Sequence, residues 1–133
     1  KPILLKVSPD LTNLQLAESV ETARRAGLDG FVATNTTTSR ECLVTDNLKV
    51  NAIGNGGLSG FPLRERSTEI IRLIHQQTNG SMPIIGSGGI MSPEDALEKI
   101  NAGASLVQLY TGFIYEGPGL AKRICKKILM NQG

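Results

Sequence analysis

Pro83-Ile84-Ile85-Gly86-Ser87-Gly88-Gly89-Ile90-Met91-Ser92-Pro93-Glu94-Asp95 compresses a strand, a tight turn and a helix start into one run. The apolar stretch Pro83 to Gly86 reads as a buried strand. Gly86, Gly88 and Gly89 allow a turn too tight for side chains. Ser92 then supplies an N-cap, Pro93 suits the first helical position, and Glu94 and Asp95 place negative charge in the first turn. The run is therefore a strand–turn–helix unit.

Three similar units flank it. Upstream, Ile3 to Val7 reads as a strand and Leu11 to Ala26 as a helix, with Leu14, Ala17, Val20 and Ala23 at helical spacing, Thr12 or Asn13 as cap and Gly27 as stop. Gly30 to Thr34 is a second strand, followed by a long polar, Gly-rich loop and a helix from Leu63 to Gln77 striped by Ile70, Ile71 and Ile74. Downstream, Leu106 to Leu109 is a strand and Pro118 to Met130 a helix. The segments Arg25-Ala26-Gly27-Leu28-Asp29-Gly30-Phe31-Val32 and Asn101-Ala102-Gly103-Ala104-Ser105-Leu106-Val107 echo one another, each closing a helix before a strand.

Alternating strands and helices imply an α/β fold with a parallel sheet. The polar residues favour a (β/α)8 TIM barrel over an open sheet. They follow each strand's C-terminal end: Ser8 and Asp10, Thr34 to Thr38, Ser87 to Gly89, and Tyr110 to Gly112. That face carries the active site in such barrels, with phosphate commonly held after strands 7 and 8. The two compact turns of the last two strands match this, so the units are read as strands 5 to 8. Half a barrel exposes sheet edges and an inner face. Together with the abrupt start at Lys1, this gives the expectation that residues 1–133 are a piece of a longer chain.

Composition narrows the function. With 133 residues, 40% hydrophobic and 20% charged, the chain has the make-up of one globular domain. A net charge of +2 and the absence of Trp give no electrostatic or stacking signal for nucleic acid, and no such partner is expected. The two cysteines, Cys42 and Cys125, lack metal-ligand spacing, so no metal is expected and reduced thiols are the plain reading. No apolar run has the length of a transmembrane helix.

Each candidate residue has a bland alternative. Gly86-Ser87-Gly88-Gly89 suits an anion, since glycines bring amides close and a helix start adds positive partial charge; otherwise it is a tight turn. Tyr110-Thr111-Gly112 completes a phosphate cup or is a surface loop. Lys6 shares a strand face with Leu4 and Ser8, and needs an anionic partner or reaches the rim by snorkelling. Asn35-Thr36-Thr37-Thr38 suits a small polar ligand or an ordinary turn, and Gly56-Gly57-Leu58-Ser59-Gly60 a binding loop or a flexible one. His75 reads as an exposed helix residue. Cys42 has no activating His nearby and is rejected as a nucleophile. Lys122, Arg123, Lys126 and Lys127 read as a solvated basic face.

Taken in order, Leu5-Lys6-Val7-Ser8-Pro9-Asp10, Thr34-Asn35-Thr36-Thr37, Gly56-Gly57-Leu58-Ser59-Gly60 with Pro62-Leu63, Pro83 to Gly89, and Ala102 to Thr111 resemble the C-terminal half of the dihydroorotate dehydrogenases. The ending at Leu109-Tyr110-Thr111, with Phe113 to Gly117, resembles the quinone-linked class 2. The resemblance implies that residues 1–133 are the C-terminal half of a single FMN-binding barrel domain. It implies FMN contacts at Lys6, Thr34, Ser59, Gly60, Gly88, Gly89, Tyr110 and Thr111, and orotate or dihydroorotate contacts at Asn35 and Thr36. It further implies oxidation of dihydroorotate to orotate in pyrimidine biosynthesis, with the flavin carrying the redox chemistry and quinone as acceptor. The family's catalytic serine and its quinone-admitting helices belong to the other half, so no catalytic base is assigned here. Peripheral attachment to the cytoplasmic face of a bacterial inner membrane, or to the mitochondrial inner membrane, is expected through that other region. The loop between Thr38 and Gly56 matches loosely and suits a substrate lid. The competing readings are another FMN- or phosphate-binding barrel oxidoreductase and an inactive half-barrel.

Overall fold

In the computed structural model, which describes residues 1–41 and 43–131, the strands β1 (Leu4–Val7), β2 (Gly30–Ala33), β3 (Ile84–Ser87) and β4 (Leu106–Gln108) form one parallel sheet in sequential order. Register aligns Lys6 with Val32, Val32 with Ile85, and Ile85 with Leu106. An open doubly wound sheet reverses its order at a switch point; this one runs straight through, as a barrel wall does.

Period-two alternation divides the sheet into two faces. Val7, Phe31, Ala33 and Ile84 are buried against Leu16, Val20 and Ala23 of α1 (Asn13–Arg25) and Ile70, Ile71 and Ile74 of α3 (Arg64–Gln77). The opposite row carries Lys6, Ile85 and Leu106, and Leu106 is 63% exposed. All the helices of the core therefore cover one face. A second cluster joins Ile90 and Ala96 to Leu120 and Ile124, bringing α4 (Pro93–Asn101) against α6 (Gly119–Asn131), with Val107 of β4 packed on it.

Local chemistry explains most boundaries. Thr12 and Gln15 form a reciprocal capping box at the start of α1, and Gly27 beyond its end has φ 71°. Ser92 accepts from the Asp95 amide at the start of α4, with Pro93 in the first turn. The strand expected over Pro83 to Gly86 is displaced to Ile84–Ser87 because Pro83 has no amide proton; it contributes only its carbonyl, which accepts from Phe31 at 3.0 Å. The strands expected to include Thr34 and Leu109 end at Ala33 and Gln108, and that expected from Ile3 begins at Leu4.

Other departures are larger. The stripe of α1 runs through Leu16, Val20 and Ala23, whereas Leu14 is 70% exposed. Leu14 stands in the first turn, rotated away from the sheet. The long loop contains α2 (Asn47–Ile53), capped by Asp46, and none of its residues is buried. Without a core-facing side it has no apolar period to read. Thr111–Glu116 is a short helix, α5, where a turn and loop are expected from Tyr110-Thr111-Gly112. A 3₁₀ turn at Phe61–Leu63 leads into α3. Cys42 lies outside the described residues. His75 is exposed and lies beside Gly80 and Gly103, and the basic face of α6 is solvated, with Arg123 paired to Glu116 and Lys127 to Glu94.

Truncating Leu16 to Ala is expected to cost about 2–5 kcal/mol, and truncating Leu14 no more than about 0.5 kcal/mol. Urea denaturation of the polypeptide carrying this segment measures both; equal losses would put the core stripe on the wrong side of α1.

Candidate functional site

The carboxyl ends of all four strands open into one cleft of about 620 Å³, counted to its open mouth. Lys6, Thr34, Asn35, Thr36, Ser59, Gly60, Gly88, Gly89, Tyr110 and Thr111, every residue singled out for cofactor or substrate contact, line it. Ser87, Gln108, Leu63, Ile90 and Gly112 line it as well. Ser87 and Gln108 are register partners on the inward row, so strand alternation itself points to them. Lys6 is the only charged residue among those lining the cleft. It is exposed on the open face and, among the described residues, makes no ion pair.

Two glycines make the cleft possible by close approach. Gly89 has φ 71°, and a Cβ there would overlap the backbone of Arg64, so the β3 turn presses directly on the first turn of α3. A Cβ on Gly112 would overlap the Ile90 carbonyl oxygen, which locks the start of α5 beside that turn. The Thr111 hydroxyl donates to Ser59 Oγ at 3.1 Å and ties in the loop before α3. The turns after β3 and β4 thus sit side by side.

The β2 end is held from below. The Asn35 amide donates to the Val7 carbonyl at 2.8 Å, and the Thr34 amide to the Ser87 carbonyl at 2.6 Å. Asn35 Oδ1 accepts from the Thr36 amide. Asp10, from the β1 loop, accepts from the hydroxyls of Thr37 and Thr38 and from the Thr38 amide. Those bonds, led by the Thr37 hydroxyl, hold its carboxyl below the ordinary 3.8. Arg66 of α3 donates to the carbonyls of Pro9 and Leu11, pinning the loop that carries Asp10.

Behind the β3 turn lies a feature that motif reading misses. Lys99 of α4 is 0% exposed. Its ammonium donates to the Arg64 carbonyl at 2.6 Å and to Thr68 Oγ1 at 2.5 Å. Desolvation pushes it from 10.5 to about 8, opposed by Glu98 and Asp95 and reinforced by Arg64. Arg64 in turn pairs with Asp95 at 2.7 Å and Glu98 at 2.9 Å. Lys99 falls three residues after Ala96 on the buried side of α4, the one available sign that it is not a surface lysine.

A sequentially ordered parallel sheet, helices on one side and a glycine-lined cleft at the strand ends define the class as a (β/α)8 barrel, of which this is part of the wall. The profile of the family described as Dihydroorotate dehydrogenase matches residues 1–131, and the chain belongs to that family. It is 57% identical to the dihydroorotate dehydrogenase (quinone) of Christiangramia forsetii over 97% of this chain and 37% of that protein. Against the dihydroorotate dehydrogenase (quinone) of Nostoc punctiforme the identity is 53%, over 97% and 35%. The crystal structure of Eimeria tenella DHODH in complex with ferulenol superposes with a TM-score of 0.88 at 39% identity, over 98% of this chain and 35% of that one. The chain thus spans about a third of the length of the relatives it matches.

Two outcomes follow from the titratable groups. Asp10 has a lowered pKa, so its contribution is fully present above pH 3.8 and is lost as pH falls through the folded value; amide exchange at Thr38 should rise over that range, and in Asp10→Ala at every pH. For Lys99 the folded value is the lower one, so below about pH 8 both states are protonated and the burial penalty is complete. Stability should rise between about pH 8 and 10.5, by roughly 3 kcal/mol at most, and Lys99→Met should abolish that rise in denaturant titrations.

Proposed function

We propose that residues 1–133 are the C-terminal half of a single FMN-binding barrel domain, and that the whole protein oxidises dihydroorotate to orotate with quinone as acceptor, in de novo pyrimidine biosynthesis. The observation that carries the reading is the meeting of all the expected contact residues in one cleft. Family membership and relatives named dihydroorotate dehydrogenase (quinone) support it independently.

The residues present fit FMN. The Gly88-Gly89 turn, bare of side chains and seated against the Arg64 backbone, opens into the cleft with Thr111 lining it as well, and its glycine peptides suit a phosphate. Lys6 brings positive charge to the cleft, and Thr34, Ser59, Ser87 and Gln108 line it with polar groups. Gly60, Gly88 and Tyr110 complete the flavin-binding set. When bound, FMN supplies the two-electron redox chemistry that no side chain provides. Asn35 and Thr36 orient the pyrimidine: they are exposed at the β2 end, with backbone and carboxylate anchors fixing the loop beneath them. We assign the base to the part of the domain outside this chain, where the family resemblance puts the catalytic serine.

No helix among the described residues is long and apolar enough to cross a membrane. The relatives named dihydroorotate dehydrogenase (quinone) support peripheral attachment through the remainder of the protein, at the cytoplasmic face of a bacterial inner membrane or at the mitochondrial inner membrane.

Asn35→Ala in the full-length protein should leave FMN bound while orotate affinity falls by about tenfold or more, the loss of a buried polar pairing. Titrating the flavin spectrum with orotate reads the change; loss of FMN with normal orotate binding would exchange the roles. Expressed alone, residues 1–133 should not reduce a quinone analogue with dihydroorotate, because base catalysis typically contributes about 10²–10⁴-fold and half the wall is missing. Turnover near that of the full chain would overturn the half-domain reading.

A further inference from the structure

We propose that Lys99 is a positioning residue for the anion cradle, holding the first turn of α3 as the shelf on which the Gly88-Gly89 turn is shaped for phosphate. The proposal rests on the FMN reading above and assigns a role to a residue that never touches the cleft.

The connection can be followed atom by atom. The Lys99 ammonium donates to the Arg64 carbonyl and to Thr68 Oγ1. Thr68 Oγ1 and Ser67 Oγ also lie against that carbonyl, at 2.9 and 3.2 Å. Ser67 Oγ, 0% exposed as a residue, stands 2.9 Å from the Gly88 carbonyl oxygen. The same Arg64 meets Gly89 by backbone contact. The glycine turn is thus gripped at both residues by one helical turn, and Lys99 holds that turn from behind. Its stem passes close over Gly86, where an added Cβ would sit 3.1 Å from the Lys99 Cβ and force a small shift.

The charge needs explanation as well. A buried ammonium bonded to a carbonyl and a hydroxyl, with no ion pair among the described residues, is a costly way to join two helices; a Met of similar reach would do so without desolvation. What an ammonium adds is a strong, directional donor that fixes the Arg64 carbonyl in place. Holding that carbonyl holds the first turn of α3, and with it Ser67, whose single hydroxyl proton is donated to the Gly88 carbonyl, the nearer acceptor at 2.9 Å. Small displacements of a preorganised site are costly in affinity.

The test compares FMN with riboflavin, which lacks only the phosphate, using equilibrium dialysis on the full-length apoprotein at constant ionic strength. The unaltered protein should prefer FMN. In Lys99→Met, FMN affinity should fall about tenfold while riboflavin affinity stays within about twofold, narrowing the preference. Ser67→Ala should narrow it in the same direction with less disturbance of the core, and decides the matter should Lys99→Met fail to fold. Equal loss of both flavins would mark Lys99 as a general structural residue and overturn the proposal, as would an unchanged ratio. If the unaltered protein itself binds the two equally, the FMN reading falls first, and this proposal with it.

Discussion

The backbone contact between Gly89 and Arg64 governs the spacing of this half-barrel. A strand end and a helix start approach more closely there than side chains permit, so α3 seats directly on the turn that follows β3. From that fixed point the other parts take their positions. Arg64 reaches across to Asp95 and Glu98 of α4, and Arg66, one turn-face along, clasps the loop after β1. The N-terminal turn of a single helix therefore sets two of the loops around the cleft and the seat of α4. The polar bonds matter here less for gross stability than for relative placement, since exposed ion pairs contribute little net energy.

Much of this architecture was legible in the order of residues. Alternation of strand and helix, the Ser92-Pro93 start and the polar clusters after each strand were enough for a barrel wall and for the rim at which ligands bind. Most of the candidate residues lie at strand ends, which converge in a parallel sheet, whereas Ser59 and Gly60, in the loop before α3, were singled out by the family resemblance. Boundaries slipped where a residue's hydrogen-bonding capacity mattered more than its hydrophobicity, as at Pro83. The stripe of α1 slipped because Leu14 and Leu16 are equally apolar and only the sheet distinguishes them.

Lys99 and Asp10 were the less legible parts of the site. Each acts on atoms more than twenty residues away in sequence, through bonds that no local pattern encodes. A charged residue on the apolar side of a helix is a faint signal; Asp10 was legible as a polar residue of the rim, but its bonds to Thr37 and Thr38 were not. The helix α2 was illegible for the opposite reason: it buries nothing, so no periodicity records it.

The neck of the excursion between β2 and α3 has a consequence for how the fold tolerates change. Thr37 and Leu58 form a two-way antiparallel bridge, and Arg40 donates to the Gly56 carbonyl and to those of Thr37, Thr38 and Ser39. The two ends are joined there whatever lies beyond them. Lengthening a closed loop is inexpensive, about 0.6 kcal/mol for each doubling. The stretch around α2 is therefore a part of the chain that can be lengthened, shortened or rewritten while the Asn35-Thr36 corner stays put, a site for diversity grafted onto a fixed rim.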